Sequence, residues 1–104
     1  MTLDELLAAI ALELPDVTAA TDGVGAVTWT RGGKTFATLS ADGATASFAL
    51  DGAVAAAATK TPDVAPSTRG AGWVDFTPAE LDDHAADRAG AWFASAHRRL
   101  GPKD

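Results

Sequence analysis

The chain has 104 residues, enough for one domain with a modest core, and a formal net charge of −6. The absence of cysteine excludes disulfides, thiolate metal sites and cysteine nucleophiles. The acidic balance disfavours a generic phosphate-binding role, because affinity for nucleic acid depends heavily on lysine and arginine.

The first predicted element is a helix over residues 2–14. Thr2 can cap its start, and Glu5 can complete a capping box. Pro15 ends the helix, and residues 16–25 are predicted to form a loop rich in Asp, Thr, Ala and Gly. One apolar face recurs at helical spacing, formed by Leu3, Leu6, Leu7, Ile10 and Leu14.

Two strands follow the loop, over residues 26–31 and 34–40. The glycine pair between them supplies the positive φ angles of a two-residue hairpin turn. Such a turn sets Trp29 opposite Phe36, which would form an aromatic cross-strand pair on the core face.

The next turn contains Asp42 and Gly43 and can be drawn in two ways. A three-residue loop with Gly43 in the left-handed region would place Phe36 opposite Phe48. A two-residue turn would put Phe48 on the other face of the sheet. We prefer the three-residue turn because it gathers one core face, made of Trp29, Phe36, Phe48 and Leu50.

The second half of the chain is predicted to hold two further helices and one strand. An alanine-rich helix over residues 53–60 is followed by a loop over residues 61–72 and a strand over residues 72–76. A long helix then begins at Thr77, because Thr77-Pro78-Ala79-Glu80 combines an N-cap residue, a proline at the first helical position and a Glu at the third. This helix is predicted to end near Leu100.

The predicted order of elements is α-β-β-β-α-β-α. Consecutive hairpins require antiparallel pairing, and helices at both ends favour two layers with the terminal helices on one face of the sheet. The sequence therefore predicts a two-layer α+β domain. The residues predicted to share its core are Trp29, Phe36, Phe48, Trp73 or its neighbour Val74, and Trp92.

Four segments, in this order and spacing, resemble the MmcQ/YjbR family. They are Leu14-Pro15-Asp16, Gly33-Lys34-Thr35-Phe36-Ala37, Gly72-Trp73-Val74 and Ala91-Trp92-Phe93-Ala94-Ser95-Ala96. The resemblance covers nearly the whole chain and implies a CyaY-like, or frataxin-like, fold. Members of the family are commonly labelled DNA-binding. Some members carry a Lys near the end of the third strand and a His before the Trp strand, where this chain has Ala49-Leu50-Asp51 and Ser67-Thr68-Arg69.

Four basic residues lie in predicted turns or loops and form the candidate binding patch: Arg31, Lys34, Lys60 and Arg69. In the predicted topology they could converge at one end of the sheet, near Ser67 and Thr68. Such a patch could receive a phosphate backbone or an acidic protein surface, although scattered basic residues more often only solubilise an acidic chain. The first hypothesis is thus a non-enzymatic module that binds nucleic acid or a protein partner.

The alternative hypothesis is weak, frataxin-like binding of a divalent metal through acidic helix faces. In a helix that starts at Thr77, four side chains would share one face: Glu80, Asp83, His84 and Asp87. Their oxygen and nitrogen atoms suit a divalent cation. Carboxylates near a helix start are also typical of a solvated surface, so no resident metal or other cofactor is expected.

No catalytic signature is present, and a non-enzymatic protein is expected. Gly33-Lys34-Thr35 imitates the end of a phosphate-binding loop, but Thr28 stands where the first glycine belongs and a strand follows. The serines lack an elbow motif. The N-terminus lacks the pattern of a secretory signal, and no apolar run could span a bilayer. We expect a cytoplasmic monomer with one domain over residues 1–104.

Overall fold

Six strands form one antiparallel sheet with three accompanying helices, in a computed structural model that describes residues 2–100. The strands are β1 (Val17–Thr21), β2 (Val27–Arg31), β3 (Lys34–Leu39), β4 (Ala46–Ala49), β5 (Val64–Pro66) and β6 (Trp73–Phe76). The helices are α1 (Leu3–Glu13), α2 (Gly52–Ala58) and α3 (Asp83–Arg99). The strand order across the sheet is β1-β2-β3-β4-β6-β5. The predicted α+β class with an antiparallel sheet is confirmed.

Two of the strands lie where the sequence predicted loops. β1 falls within residues 16–25 and β5 within residues 61–72. Neither has the alternating apolar pattern of a half-buried strand, because each lies at an edge and is ordered by backbone pairing with its neighbour. The predicted order is therefore wrong, and the observed order is α-β-β-β-β-α-β-β-α.

The turn between β3 and β4 has four residues. Ser40 N donates to Thr45 O over 2.9 Å, which leaves residues 41–44 as the loop. Gly43 is left-handed, with a φ of 74°, as predicted. The preferred three-residue turn is wrong, because Ser40 pairs with Thr45 of the following strand segment and not with Ala44.

A β-bulge compensates for this shift. Phe48 pairs with Ala37, and Trp29 also pairs with Ala37, while the β2–β3 register shifts between Trp29 and Thr30. The bulge leaves Phe36 without a direct partner, so both predicted pairs of Phe36 are wrong. Trp29 lies directly opposite Ala37, and Ala37 lies directly opposite Phe48. All three side chains therefore still point to the same face of the sheet.

That face carries the core, and α1 and α3 cover it. The ring of Phe93 lies edge-on to Trp29 and Phe36, with centroids 5.3 Å and 5.2 Å away. The two helices approach closely, since a Cβ added to Gly90 would lie 3.2 Å from Ile10 Cδ1. The predicted shared core is confirmed: Trp29, Phe36, Phe48 and Val74 are buried, and Trp92 packs partly buried against them.

Helix α1 starts as predicted. Thr2 Oγ1 accepts a hydrogen bond from Glu5 N over 3.1 Å, and the Glu5 carboxylate accepts one from Thr2 N over 3.3 Å. These two bonds complete the capping box and satisfy donors that the first turn of a helix leaves free. None of the helices within residues 2–100 is both long and apolar enough to cross a bilayer.

Helix α3 starts later than predicted. Its N-cap is Asp82, whose carboxylate accepts a hydrogen bond from Ala85 N over 2.8 Å. Thr77, the predicted cap, continues the sheet, because its N–H donates to Asp63 O over 2.9 Å. The Thr77 hydroxyl lies 2.9 Å from that of Thr45. Pairing with neighbouring segments therefore outweighs the local helix-start signal at Thr77.

Candidate functional site

The sheet face opposite the helices carries a row of small polar side chains. The register pairs Thr38 with Ser47 and Ser47 with Asp75, so the three lie side by side on β3, β4 and β6. Strand alternation turns them away from their apolar neighbours. Ser47 Oγ donates to Asp75 Oδ1 over 2.6 Å. Thr38 and Ser47 are only 6% and 5% exposed, so another segment covers the row.

The covering segment is the loop between β5 and β6. Ser67 N donates to Trp73 O over 2.9 Å and closes the loop. Arg69 N donates to Ser67 Oγ over 3.2 Å and shapes its first turn. Gly72 anchors the other end, with a φ of 82° and a carbonyl that accepts from Leu50 N over 2.8 Å. The loop is thus tied both to itself and to the chain after β4.

A cleft of about 280 Å³ lies between this loop and the sheet, and we call it the hydroxyl cleft. Its lining consists of six hydroxyls, one guanidinium and one carboxylate: Thr38, Ser40, Thr45, Ser47, Ser67, Thr68, Arg69 and Asp75. Each hydroxyl can both donate and accept a hydrogen bond. The cleft therefore suits a polar ligand better than an apolar one.

One rim of the hydroxyl cleft is held by the β3–β4 turn. Ser40 Oγ donates to Asp42 Oδ1 over 2.6 Å and accepts from Thr45 N over 3.0 Å. The Ser40 hydroxyl, and then the Ala44 N–H, hold the pKa of Asp42 below its ordinary value of 3.8. Asp42 consequently remains ionised at neutral pH and fixes the turn through these bonds.

The cleft pairs one positive side chain with one negative side chain. Arg69 is exposed, and its guanidinium carbon lies 5.7 Å from the centroid of the Trp73 ring. Stacking of this kind orients a guanidinium while its N–H groups stay available to a ligand. Asp75 supplies the negative group and accepts from Ser47. The formal charge of the lining is therefore balanced.

The hydroxyl cleft contains no histidine that could activate a serine. The ring of His97 is buried, with Nε2 2.6 Å from Pro15 O. His84 is exposed on the first turn of α3 and is not part of the lining. Within residues 2–100, no serine shares a hydrogen bond with a histidine. The Ser47–Asp75 pair therefore differs from a Ser-His-Asp triad, in which a histidine lies between the serine and the carboxylate.

The structure brings together only two of the four basic residues selected from the sequence. Arg31 and Lys34 are the closing pair of the β2–β3 hairpin. Arg69 lines the hydroxyl cleft. Lys60 lies between α2 and β5. Val64, the first residue of β5, pairs with Phe76 at the end of the sheet opposite the β2–β3 hairpin. Arg31 also lines a cleft, formed with Asp16, Gly32 and Leu100, but its guanidinium is bonded to His97.

Arg31 is committed to the fold. Its side chain is 12% exposed, and Nη1 donates to His97 O over 3.0 Å and lies 3.2 Å from His97 Nδ1. Since Pro15 O can only accept, His97 Nε2 donates to it and Nδ1 accepts from Arg31. Asp16 Oδ2 lies 3.9 Å from Nη2 of Arg31. Arg31 thereby joins the end of α3 to the connection between α1 and β1.

The acidic group considered for a metal does not share one helical face. Helix α3 begins at Asp83, so Glu80 lies in the non-helical segment before it. Glu80 and Asp87 are therefore not brought onto one face by helical spacing, and the prediction of a shared face is wrong. Across residues 2–100, no group of three or more His, Asp or Glu side chains could hold a metal ion.

Sequence reasoning selected the loop part of the hydroxyl cleft and missed the strand part. The sequence places Ser67, Thr68 and Arg69 together in one predicted loop, but it does not show the row on the sheet. The signal was one polar residue between two apolar ones in consecutive strands, as in Ala37-Thr38-Leu39, Ala46-Ser47-Phe48 and Val74-Asp75-Phe76. This alternation marks the face, while only the register shows that the three side chains adjoin.

Comparison with known proteins does not assign a function to this chain. No family model matches the chain, and no curated protein is significantly similar to it. The lining of the hydroxyl cleft therefore provides the evidence for a function.

Proposed function

We propose that this protein is a small non-enzymatic binding module that holds a polar segment of a protein partner in the hydroxyl cleft. The observation that carries the proposal is the lining, in which six hydroxyls, Arg69 and Asp75 converge on one cleft. The complementary ligand offers an acidic group to Arg69 and a hydrogen-bond donor to Asp75. A protein segment of mixed charge supplies both groups.

Nucleic acid is the less well supported ligand. Affinity for a phosphate backbone requires several available cations. Arg31 is already bonded to His97, and Arg69 shares its cleft with the carboxylate of Asp75. Asp42, which stays ionised, lies in the turn at the cleft's rim. The carboxylates of Asp42 and Asp75 repel phosphate and can accept hydrogen bonds from the donors of a mixed-charge protein surface.

Membership of the MmcQ/YjbR family, with its CyaY-like fold, is part of the same proposal. Its support is the packing of α1 and α3 over one face of an antiparallel sheet. Two of the segments that carry the resemblance also have structural roles. Gly72-Trp73-Val74 starts β6, and residues 91–96 include Phe93 at the centre of the core.

An NMR titration with dipeptides of mixed charge, such as Asp-Lys, tests the proposed function. We expect saturable shifts of amide signals confined to the cleft, including those of Thr38, Ser47 and Asp75. Arg69→Met and Asp75→Asn should each weaken binding about tenfold, the effect of losing about 1.4 kcal/mol.

Lys34→Met is the matched control, because it removes an exposed cation outside the hydroxyl cleft. It should leave the affinity for the dipeptide unchanged. Shifts that persist in Arg69→Met, or duplex DNA binding more tightly than every dipeptide, would contradict the proposal.

A further inference from the structure

The two edges of the sheet differ in how they are protected. β5 has only three residues and ends at Pro66, so its length and its proline both limit pairing. β1 has five residues, Val17-Thr18-Ala19-Ala20-Thr21, with neither a charge nor a proline. Soluble proteins usually protect an exposed edge of this kind, because it can pair with another chain. No segment within residues 2–100 pairs with the outer side of β1, so this edge is open to an added strand.

The backbone groups that face this edge can be assigned. Asp22 N donates to Ala26 O over 2.9 Å, which fixes the phase of the β1–β2 ladder. Hydrogen-bonded and non-bonded pairs alternate along an antiparallel ladder. Thr18 and Ala20 therefore bond to β2, and the outward N–H and C=O groups belong to Val17, Ala19 and Thr21. An added strand could pair with these three residues.

An apolar groove of about 250 Å³ adjoins the same edge. It lies between α1 and β1 and is lined by Ala8, Ala11, Leu12, Val17, Ala19 and Trp29. Leu12 is 89% exposed, although it is one of the largest apolar side chains in α1. The three alanines leave space beside it for a bulky apolar side chain.

The groove and the open edge are positioned to be filled by one strand. Val17 and Ala19 both line the groove and both present backbone groups outward. Directly opposed residues of paired strands point to the same face. A residue placed opposite Ala19 would consequently pair with its backbone and direct its side chain towards Leu12.

Charge around the edge identifies the occupant. Asp16 and Asp22 flank β1, and Glu13 ends α1 beside it. In antiparallel pairing of two copies centred on Ala19, Asp16 of each copy would face Asp22 of the other, which is repulsive. Arg31 offsets part of this charge, because its Nη2 lies 3.9 Å from Asp16 Oδ2. It is also bonded to His97, however, and within residues 2–100 no cation pairs with Asp22 or Glu13. A strand with basic residues at both ends complements these carboxylates, whereas a second copy does not.

We propose that β1 and the β1–α1 groove bind an extended peptide segment as a seventh strand, with a bulky apolar residue in the groove and basic residues at both ends. This is strand addition, in which main-chain hydrogen bonds supply affinity and alternate side chains supply specificity. The surface lies at the opposite side of the sheet from β5 and β6 and is separate from the hydroxyl cleft.

The test uses the terminally capped peptide Lys-Val-Thr-Leu-Thr-Val-Lys, whose Leu can sit opposite Ala19 and whose Lys residues can reach Asp16 and Asp22. Calorimetry should show saturable binding, weakened about tenfold or more when both Lys are replaced by Glu. In the complex, amide exchange should slow at Val17, Ala19 and Thr21. It should change little at Thr18 and Ala20, which are already bonded to β2.

Two substitutions probe the groove and the edge separately. Leu12→Asp changes an exposed side chain and should weaken the peptide about tenfold. Its matched control is Val24→Asp, which changes another large exposed apolar residue, 76% exposed and outside the groove. Ala19→Pro should also weaken binding, because it removes an outward N–H while sparing the β1–β2 bonds.

Several outcomes would overturn the proposal. One is the absence of saturable binding by the lysine-flanked peptide. Another is binding that Leu12→Asp and Ala19→Pro leave unchanged, or that the Glu-flanked peptide matches. A dimer seen by sedimentation without peptide, and abolished by Ala19→Pro, would assign the edge to a second copy instead.

Discussion

Replacing Gly72 by alanine tests whether the base of the β5–β6 loop is sterically fixed. Gly72 has a φ of 82°, and a Cβ built there would lie 2.5 Å from Leu50 O. The left-handed conformation alone costs a non-glycine residue about 1–2 kcal/mol. Relieving the contact requires the Leu50 carbonyl to move, which strains the hydrogen bond from Leu50 N to Gly72 O and costs about another 1 kcal/mol. The expected loss in the free energy of unfolding is about 2–3 kcal/mol.

Gly33→Ala is the matched control. Gly33 has a nearly identical φ of 81°, but a Cβ added there meets nothing within 4 Å. The Gly33→Ala variant should therefore lose only the conformational part, about 1–2 kcal/mol. Urea denaturation followed by circular dichroism measures both losses, and thermal unfolding should show a Tm about 5 °C lower for Gly72→Ala than for Gly33→Ala. Equal losses for the two variants would refute a rigid loop base.

Three further predictions concern charged groups. Arg31→Met should lower the free energy of unfolding by about 2–3 kcal/mol, since buried acceptors of His97 lose their donor; a loss below about 0.5 kcal/mol in urea denaturation would contradict this role. The pKa of Asp42 is lowered by Ser40, so its ionised form stabilises the turn above pH 3.8, and this contribution is lost as the pH falls through the lower folded pKa. NMR titration of the Asp42 carboxyl carbon should show a higher pKa in Ser40→Ala, and an unchanged pKa would rule out the hydroxyl as the cause. Binding to duplex DNA should be weak, with a log–log salt slope no steeper than about −3, because only three of the four loop cations remain available; fluorescence anisotropy with a slope near −6 would show that other residues contact phosphate.

Local signals predicted the parts of the fold that depend on nearby residues. The capping box of α1 and the left-handed Gly43 both depend on contacts within a few positions, and both are present. The start of α3 could not be predicted in this way. The signal at Thr77 is genuine, but Thr77 pairs with Asp63, a partner that only the tertiary structure supplies.

The sequence does not predict the strands β1 and β5, for a related reason. An edge strand can be ordered by backbone bonds to one neighbour and needs no buried face of its own. The shift of the β3–β4 turn and the bulge at Phe36 illustrate a second limit. Each changes the register by one residue, and the two changes together keep the same residues on the core face. The predicted core residues are therefore correct, although the predicted cross-strand pairs of Phe36 are wrong.

The candidate site was predictable in part. Its charge and its place in a predicted loop make Arg69 a candidate, and it lines the hydroxyl cleft. The same features make Arg31 a candidate, yet it is bonded to His97. The sequence shows no difference between these two arginines, because burial depends on residues far away along the chain.

The strand order β1-β2-β3-β4-β6-β5 divides the sheet into a local part and a distant part. β1 to β4 form a meander of neighbouring strands, whereas the Ser47–Asp75 contact joins residues 28 positions apart. Such distant pairing closes a long loop and forms more slowly than local pairing. The hydroxyl cleft straddles this division, so it is complete only when β6 has docked on β4. Sub-global opening of the β5–β6 hairpin would dismantle the cleft while the meander stays folded, and a bound ligand would suppress that opening.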